Sequence, residues 1–281
     1  MRYYEFTPAP GLAQYVDCYW FMSGSGPGPA GTPQVQPIVP DGRMELIVNL
    51  ADRFKRHHRD GTVERQPVLL LAGQITGCVL VEPGPTVDLV GVRFQPAGAA
   101  ALLLVPPRGL RDSLIDASLV APLLVRDIAD RLHAAPDMPA RLRILNRHFA
   151  GVAAAATAPD RAVAVAIEGI LACNGRVRIA DLATQLGMNR RTLERRFQAT
   201  VGSGPKLLAR IARFQFAFAN MQASEPRTWT RVAYRCGYYD QAHMIQEFHD
   251  FTGASPSRFF AGQTLLSDFF LTGTDRAPSH L

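Results

Sequence analysis

Cysteine is scarce in this chain: the four thiols, Cys18, Cys78, Cys173 and Cys236, lie far apart and form no C-x-x-C pair. That spacing supports neither a disulfide scaffold nor a zinc ribbon, and it predicts buried, reduced thiols in an intracellular protein. Lysine is scarcer still. Of 30 basic residues only Lys55 and Lys206 are lysine, a bias that a GC-rich coding genome would also produce. No apolar run approaches the ~18–20 residues that cross a bilayer, so no membrane association is expected. The opening MRYYEFTPAP lacks the apolar core of a secretory signal. G-x-S-x-G, P-loop and H-E-x-x-H patterns are absent as well. The one close histidine pair, His57-His58, would alternate onto opposite faces of a strand, and Lys55, Arg56 and Arg59 beside it disfavour a cation. No enzyme, cofactor or metal is expected from these residues.

What is present is an ordinary globular composition, 47% apolar over 281 residues, with a length that suits roughly two domains. The charge is unevenly placed. Residues 1–159 carry 15 basic and 14 acidic groups, residues 160–262 carry 14 and 8, and the tail 263–281 carries one and two. The whole positive excess thus sits in a block of about 100 residues, as in a phosphate-binding domain, although a solvated basic face would look the same.

Ahead of that block the chain divides in two. Residues 1–120 are broken into short apolar runs by Pro and Gly, with 23–33 (SGSGPGPAGTP) a loop by composition. A turn at Pro40-Asp41-Gly42 opens the run Met44–Leu50; Val68–Ala72, Val79–Val81 and Val87–Phe94 read as further strands. Together they predict a β-rich domain, a barrel or a sandwich. From residue 121 the period changes. Leu124, Ile128 and Leu132 give one helical face, and Leu142, Leu145, Phe149 and Val152 a second. Residues 121–156 are therefore expected as a helical hairpin that either packs on the β domain or forms a homodimer interface. Residues 151–160 would link it to the basic block, unless their Ala run extends the second helix.

The basic block contains an internal repeat. Phe197, Gly202 and Pro205 match Phe248, Gly253 and Pro256 at an offset of 51, and Ala183 and Gly187 match Ala233 and Gly237 at an offset of 50. One extra residue has entered the second copy between its Gly and its Phe. Each copy reads as helix, tight turn, helix. Ile179, Leu182, Ala183 and Leu186 form an apolar face that stops at Gly187, and Asn189 can cap the next helix, where Leu193 and Phe197 point inward. Val232, Ala233, Cys236, Gly237, Asp240, Met244 and Phe248 repeat the scheme. This is helix-turn-helix grammar, in which the second helix enters the major groove. Its exposed positions would be Arg190, Arg191, Glu194, Arg195 and Gln198, then Gln241, Ala242, Ile245, Gln246 and His249. Between the copies, Leu207, Ile211, Phe214, Phe218 and Met221 keep a helical stripe from Pro205 to Gln222. Those 18 residues make a rod of about 27 Å, which can hold two reading helices roughly one DNA turn (~34 Å) apart.

GMNRRTLERRFQATVGSGP and CGYYDQAHMIQEFHDFTGASPSRFF resemble the two signatures of the AraC/XylS transcription regulators. The resemblance implies a seven-helix double helix-turn-helix domain over 160–262, and double-stranded DNA as partner, with RNA polymerase a further partner of an activator. It places Arg191, Glu194 and Arg195 of the first unit, and Gln241, Ala242, Ile245 and Gln246 of the second, at base-reading positions. Arg176, Arg178, Arg190, Arg196, Arg210, Arg231 and Arg235 are candidates for phosphate. Gln246 and Glu247 depart from the usual basic or neutral residues, and Glu194 puts an acid on the first reading face, able to accept from cytosine but repelling phosphate. LAQYVDCYWF (12–21), VPDGRMELIVNL (39–50) and VGVRFQPAGAA (90–100) resemble a front domain of poorly defined function found on some such regulators.

The resemblance to AraC-type regulators, whose sensor domains are often cupin-like barrels, thus implies a cytoplasmic, nucleoid-associated α+β regulator whose front domain binds a small effector. Arg93, in an apolar strand, either pairs internally with Glu45 or Asp41 or awaits an anion, and Tyr19 and Trp20 could line a pocket with Arg93 and Glu45. The rival readings are control by a partner protein and, more distantly, a cupin-type enzyme. A pocket of ~300 Å³ or more in the front domain would separate an effector from a protein partner.

Overall fold

The computed structural model describes residues 1–26, 35–103, 105–223 and 228–261, and the backbone of 276–277. The front of the chain forms β1 (Arg2–Phe6), β2 (Val16–Ser25), β3 (Gln36–Ile38), β4 (Glu45–Asn49), β5 (Lys55–His57) and β6 (Val63–Arg65). β7 (Leu69–Ala72), β8 (Val79–Glu82), β9 (Thr86–Phe94), β10 (Leu114–Asp116) and, from the tail, β11 (Arg276–Ala277) complete the strands. The runs read from sequence at 44–50, 68–72, 79–81 and 87–94 are β4, β7, β8 and β9. The loop expected at 23–33 begins later, because 23–25 finish β2; residues 27–33 lie outside the described residues, as does all of the tail apart from β11.

Seven strands form one sheet in the order β10-β7-β4-β9-β2-β1-β11, and β3-β8-β5-β6 form a second. Strand alternation gives the larger sheet two buried faces. Tyr19 and Phe21 of β2, Leu46 and Val48 of β4, and Val90, Val92 and Phe94 of β9 share one core. Cys18, Trp20 and Met22 point the other way, to Phe54, Val81 and Leu89 and the smaller sheet. Trp20 lies so close on the sheet that a Cβ at Gly91 would fall inside its indole ring, which accounts for a glycine in the middle of a central strand.

Helices α1 (Gly98–Leu103), α2 (Ala117–Val120), α3 (Pro122–Val125), α4 (Ile128–His133) and α5 (Met138–Ala155) cover the first face. The hairpin differs from expectation in its first arm. Asp127 takes a left-handed backbone (φ 57°), which an Asp tolerates better than most residues, and it splits that arm into α3 and α4. Leu124, Ile128 and Leu132 are nevertheless all buried, as are Leu145 and Phe149 of α5, so the hairpin packs on the β domain. Leu119 and Leu123 stay exposed on α2 and α3. The Ala run does extend α5, as far as Ala155.

Among the described residues seven helices follow: α6 (Arg161–Ala172), α7 (Ile179–Gln185), α8 (Arg190–Val201), α9 (Pro205–Gln222), α10 (Trp229–Arg235), α11 (Gln241–Thr252) and α12 (Pro256–Phe260). They form two cores, one around Leu193, Phe197 and Leu208 and the other around Phe214, Phe218 and Phe248. The front domain contributes one residue to each: Ala97 packs in the first and Val39 in the second. The fold is thus a β-rich front domain of two sheets joined to an all-helical domain. No helix among the described residues is long and apolar enough to cross a membrane.

Candidate nucleic-acid interface

The two repeat copies fold to the same local geometry. α7 and α10 are seven residues each, α8 and α11 twelve each. Met188 N–H donates to Ala183 O and Tyr238 N–H to Ala233 O, both at 3.0 Å. These bonds close a Schellman-type stop around a glycine with positive φ, 67° at Gly187 and 77° at Gly237, where a side chain would be strained. Asn189 then caps α8 by accepting from Thr192 N–H (2.8 Å), and Asp240 caps α11 by accepting from His243 N–H (2.7 Å). Turn bonds match at an offset of 50 and caps at 51, so the extra residue of the second copy is Tyr239. It stands 84% exposed immediately before the cap, a feature that sequence alone did not single out.

On α8, Leu193, Phe197 and Val201 are buried, while Arg190, Arg191 and Arg195 are exposed and Glu194 is half-buried. Arg190 Nε donates to Glu194 Oε1 at 2.8 Å, which offsets the negative charge that Glu194 brings to this face. On α11, Ala242 and Gln246 are exposed, Gln241 and Ile245 half-buried; Thr230 Oγ1 donates to Gln241, and Gln246 Nε2 to Asp250 (2.9 Å). Glu247 is not on that face. It is 3% exposed beneath α11, where it accepts from Arg210 Nε (2.9 Å), Arg213 Nε (3.1 Å) and Arg213 Nη2 (2.8 Å). Burial pushes its carboxyl up, but these bonds outweigh that and hold it below its ordinary value.

The candidate phosphate contacts divide into two groups. Arg178, Arg231 and Arg235 are exposed; so is Arg176, whose Nη1 donates to Arg235 O (3.3 Å). Arg196 is instead clamped by Asp160, its Nε at 2.8 Å and Nη2 at 2.6 Å, and Arg210 by Glu247 and Asp250. Arg196 lowers the Asp160 carboxyl, which also caps α6.

The far ends of both exposed helices meet the front domain. Gly202, closing α8, lies against Pro107 and Arg108, and Gly253, closing α11, against Arg59. Cys78 N–H donates to Phe251 O at 2.8 Å. The N-terminal halves of α8 and α11, which carry most of the candidate readers, stay clear of these contacts.

A second site lies between the two sheets, a cavity of about 110 Å³, smaller than the ~300 Å³ expected of a pocket for a drug-sized effector. Trp20, Glu45 and Arg93 line it, together with Asp41, Arg43 and, from the helical domain, Gln215 of α9. Tyr19 does not: it sits on the opposite face of β2, packed toward Phe149, because neighbours on a strand alternate. Arg93 pairs internally, with Glu45 (2.7 Å), Glu5 (3.0 Å) and Asp41 (3.8 Å). Burial would lower its pKa, but Glu45 above all raises it, so the guanidinium stays charged. Burial pushes the Glu45 carboxyl up. Gln215 Nε2 donates to Pro40 O beside Asp41, so α9 is tied to the rim.

Residues 182–262 match the family model of a helix-turn-helix domain, and residues 4–116 that of a domain of unknown function, DUF6597. No curated protein matches the chain. Among solved structures, ToxT from Vibrio cholerae in its P21 form is 12% identical, with 86% of this chain and 98% of that one covered at a TM-score of 0.46. ToxT from Vibrio cholerae strain SCE256, bound to an unsaturated fatty acid, gives 12%, 92%, 98% and 0.46 in the same order.

Proposed function

We infer, from the premise that this chain carries an AraC-type helix-turn-helix domain behind a domain of unknown function, that it is a regulator that reads two successive major grooves of duplex DNA. The observation that carries this is the matched pair of turns, each presenting a twelve-residue helix whose N-terminal half faces outward. Arg191, Glu194 and Arg195 would meet base edges in the first groove, and Gln241, Ala242, Ile245 and Gln246 in the second. Arg176, Arg178, Arg190, Arg231 and Arg235 would set orientation and salt dependence through phosphates. α9, 18 residues long, spaces the two helices.

Control is assigned to the front domain. It touches the ends of both reading helices, and its cavity includes a side chain of α9, so a change there alters how the two units are held. At about 110 Å³ the cavity falls short of the ~300 Å³ that marks a drug-sized effector, which favours the protein-partner reading and leaves room only for a ligand of a few heavy atoms. The exposed Leu119 and Leu123 favour a second reading, in which a protein surface, a second copy or RNA polymerase among them, acts on this domain. A homodimer would present four units to two half-sites.

The test is titration of the full-length protein with DNA from upstream of its own gene, against a scrambled duplex, at several salt concentrations. A specific-to-random ratio of ~10³ or more with a steep salt slope is expected. Absence of salt-dependent binding to either duplex would refute the assignment.

A further inference from the structure

The cavity between the sheets has an apolar body and a charged end. Trp20, Met22, Phe54, Val81 and Leu89 form the body, and Asp41, Arg43, Glu45, Arg93 and Gln215 gather at the side nearest α9. Its ~110 Å³ compares with the about 150 Å³ of an apolar cavity that accepts benzene, so an occupant of about six heavy atoms is in scale.

The charges at that end decide which head group fits. Both guanidiniums are engaged from outside the lining: Arg43 by Asp17 at 3.2 Å, Arg93 by Glu5 at 3.0 Å. The two lining carboxylates then share the remaining edge of Arg93, Glu45 at 2.7 Å and Asp41 at a looser 3.8 Å. Burial raises the cost of ionising Glu45, and the neighbouring Asp41 adds to it. A second cation between them would offset that cost and pair with Asp41, whereas an anion would face two carboxylates and no disengaged guanidinium among the lining residues.

We propose that this cavity binds a small apolar amine, its ammonium held between Asp41 and Glu45 and its hydrocarbon against Trp20 and Phe54. The assignment rests on the effector reading above and gives it a chemical class. Gln215 belongs to the rod between the two reading helices and is bonded to Pro40, next to Asp41. An amine at Asp41 therefore bears on both domains, and its affinity and that for operator DNA must be linked reciprocally.

The experiment is calorimetric titration of the full-length protein at neutral pH with 3-methylbutylamine, 3-methylbutanoate and 3-methylbutanol, which share a tail and differ in head group. The amine should bind and raise the melting temperature, with the acid and the alcohol weaker by about tenfold or more, the scale of one partly screened ion pair. Asp41→Asn and Glu45→Gln should each weaken the amine by a similar factor. Asp41 is the milder change because it is a third exposed, so its variant keeps the test sound where Glu45→Gln misfolds. Equal or tighter binding of the acid or the alcohol, no binding of any probe to 10 mM, or unchanged amine affinity in a folded Asp41→Asn would each overturn the proposal. Operator titration of the same samples separates the two readings. Specific DNA binding without amine binding removes only the ligand class, and loss of DNA preference in the untreated protein removes the regulator itself.

Discussion

Glu247→Gln should loosen the second reading helix from the rod that carries it. Glu247 is buried under α11 and takes N–H donors from Arg210 and Arg213 of α9 at 2.8–3.1 Å. Hydrogen bonds to a charged group are worth about 1.5–3 kcal/mol each, but Gln keeps one acceptor oxygen. The arginine side chains are 35% and 20% exposed, so solvent screens part of the ion-pair energy. A net loss of about 2 kcal/mol follows, equivalent to about 4–8 °C in melting temperature for a chain of this size. The pH dependence gives a second readout. The folded carboxyl is held below its ordinary value, so its stabilisation is fully present above the unfolded value of about 4.3 and is lost as pH falls through the folded one. Urea unfolding by circular dichroism from pH 7 to pH 3 should therefore show a steeper acid loss in the wild type than in Glu247→Gln. Footprinting on the operator should show protection lost at the second unit before the first. An unfolding free energy changed by less than about 0.5 kcal/mol, with both footprints intact, would refute the reasoning.

Arg195→Ala should cost ~1–3 kcal/mol on the operator and much less on random duplex; equal losses would make Arg195 a phosphate contact rather than a reader. Arg196→Ala should lower the melting temperature by freeing Asp160 while leaving the salt slope of DNA binding unchanged, whereas a true phosphate contact would reduce that slope by about one. Gly237→Val places a β-branched side chain at φ 77°, costs roughly 1–2 kcal/mol or more, and should weaken operator binding in step with stability; unchanged melting would show that the turn tolerates it.

The parts of the fold legible in sequence are those set by neighbours a few residues apart. Gly187 and Asn189, then Gly237 and Asp240, specify their turns by local hydrogen bonding, and Val87–Phe94 declares a strand by its own composition. Parity along β2 would also have shown that Tyr19 and Trp20 cannot face one pocket. Glu247 was legible in principle: it falls between Met244, Phe248 and Phe251 on the inward face of α11. Arg196 was not, because its partner Asp160 lies 36 residues away at the cap of another helix. The break at Asp127 was hidden for a different reason. Leu124, Ile128 and Leu132 keep helical spacing through it, so the apolar pattern carries no trace of the left-handed residue between them.

Val39 and Ala97 belong by sequence to the front domain and by packing to the helical one. A fragment beginning near residue 160 would therefore emerge with one unfilled notch in each of its two cores. Synthesis runs the other way: both plugs have left the ribosome before the first helix of the basic block is made, so that block folds against a surface already waiting for it. Exchanging the front domain for an unrelated one would remove this template along with any sensor, and the first symptom would be poor recovery of folded protein rather than altered regulation.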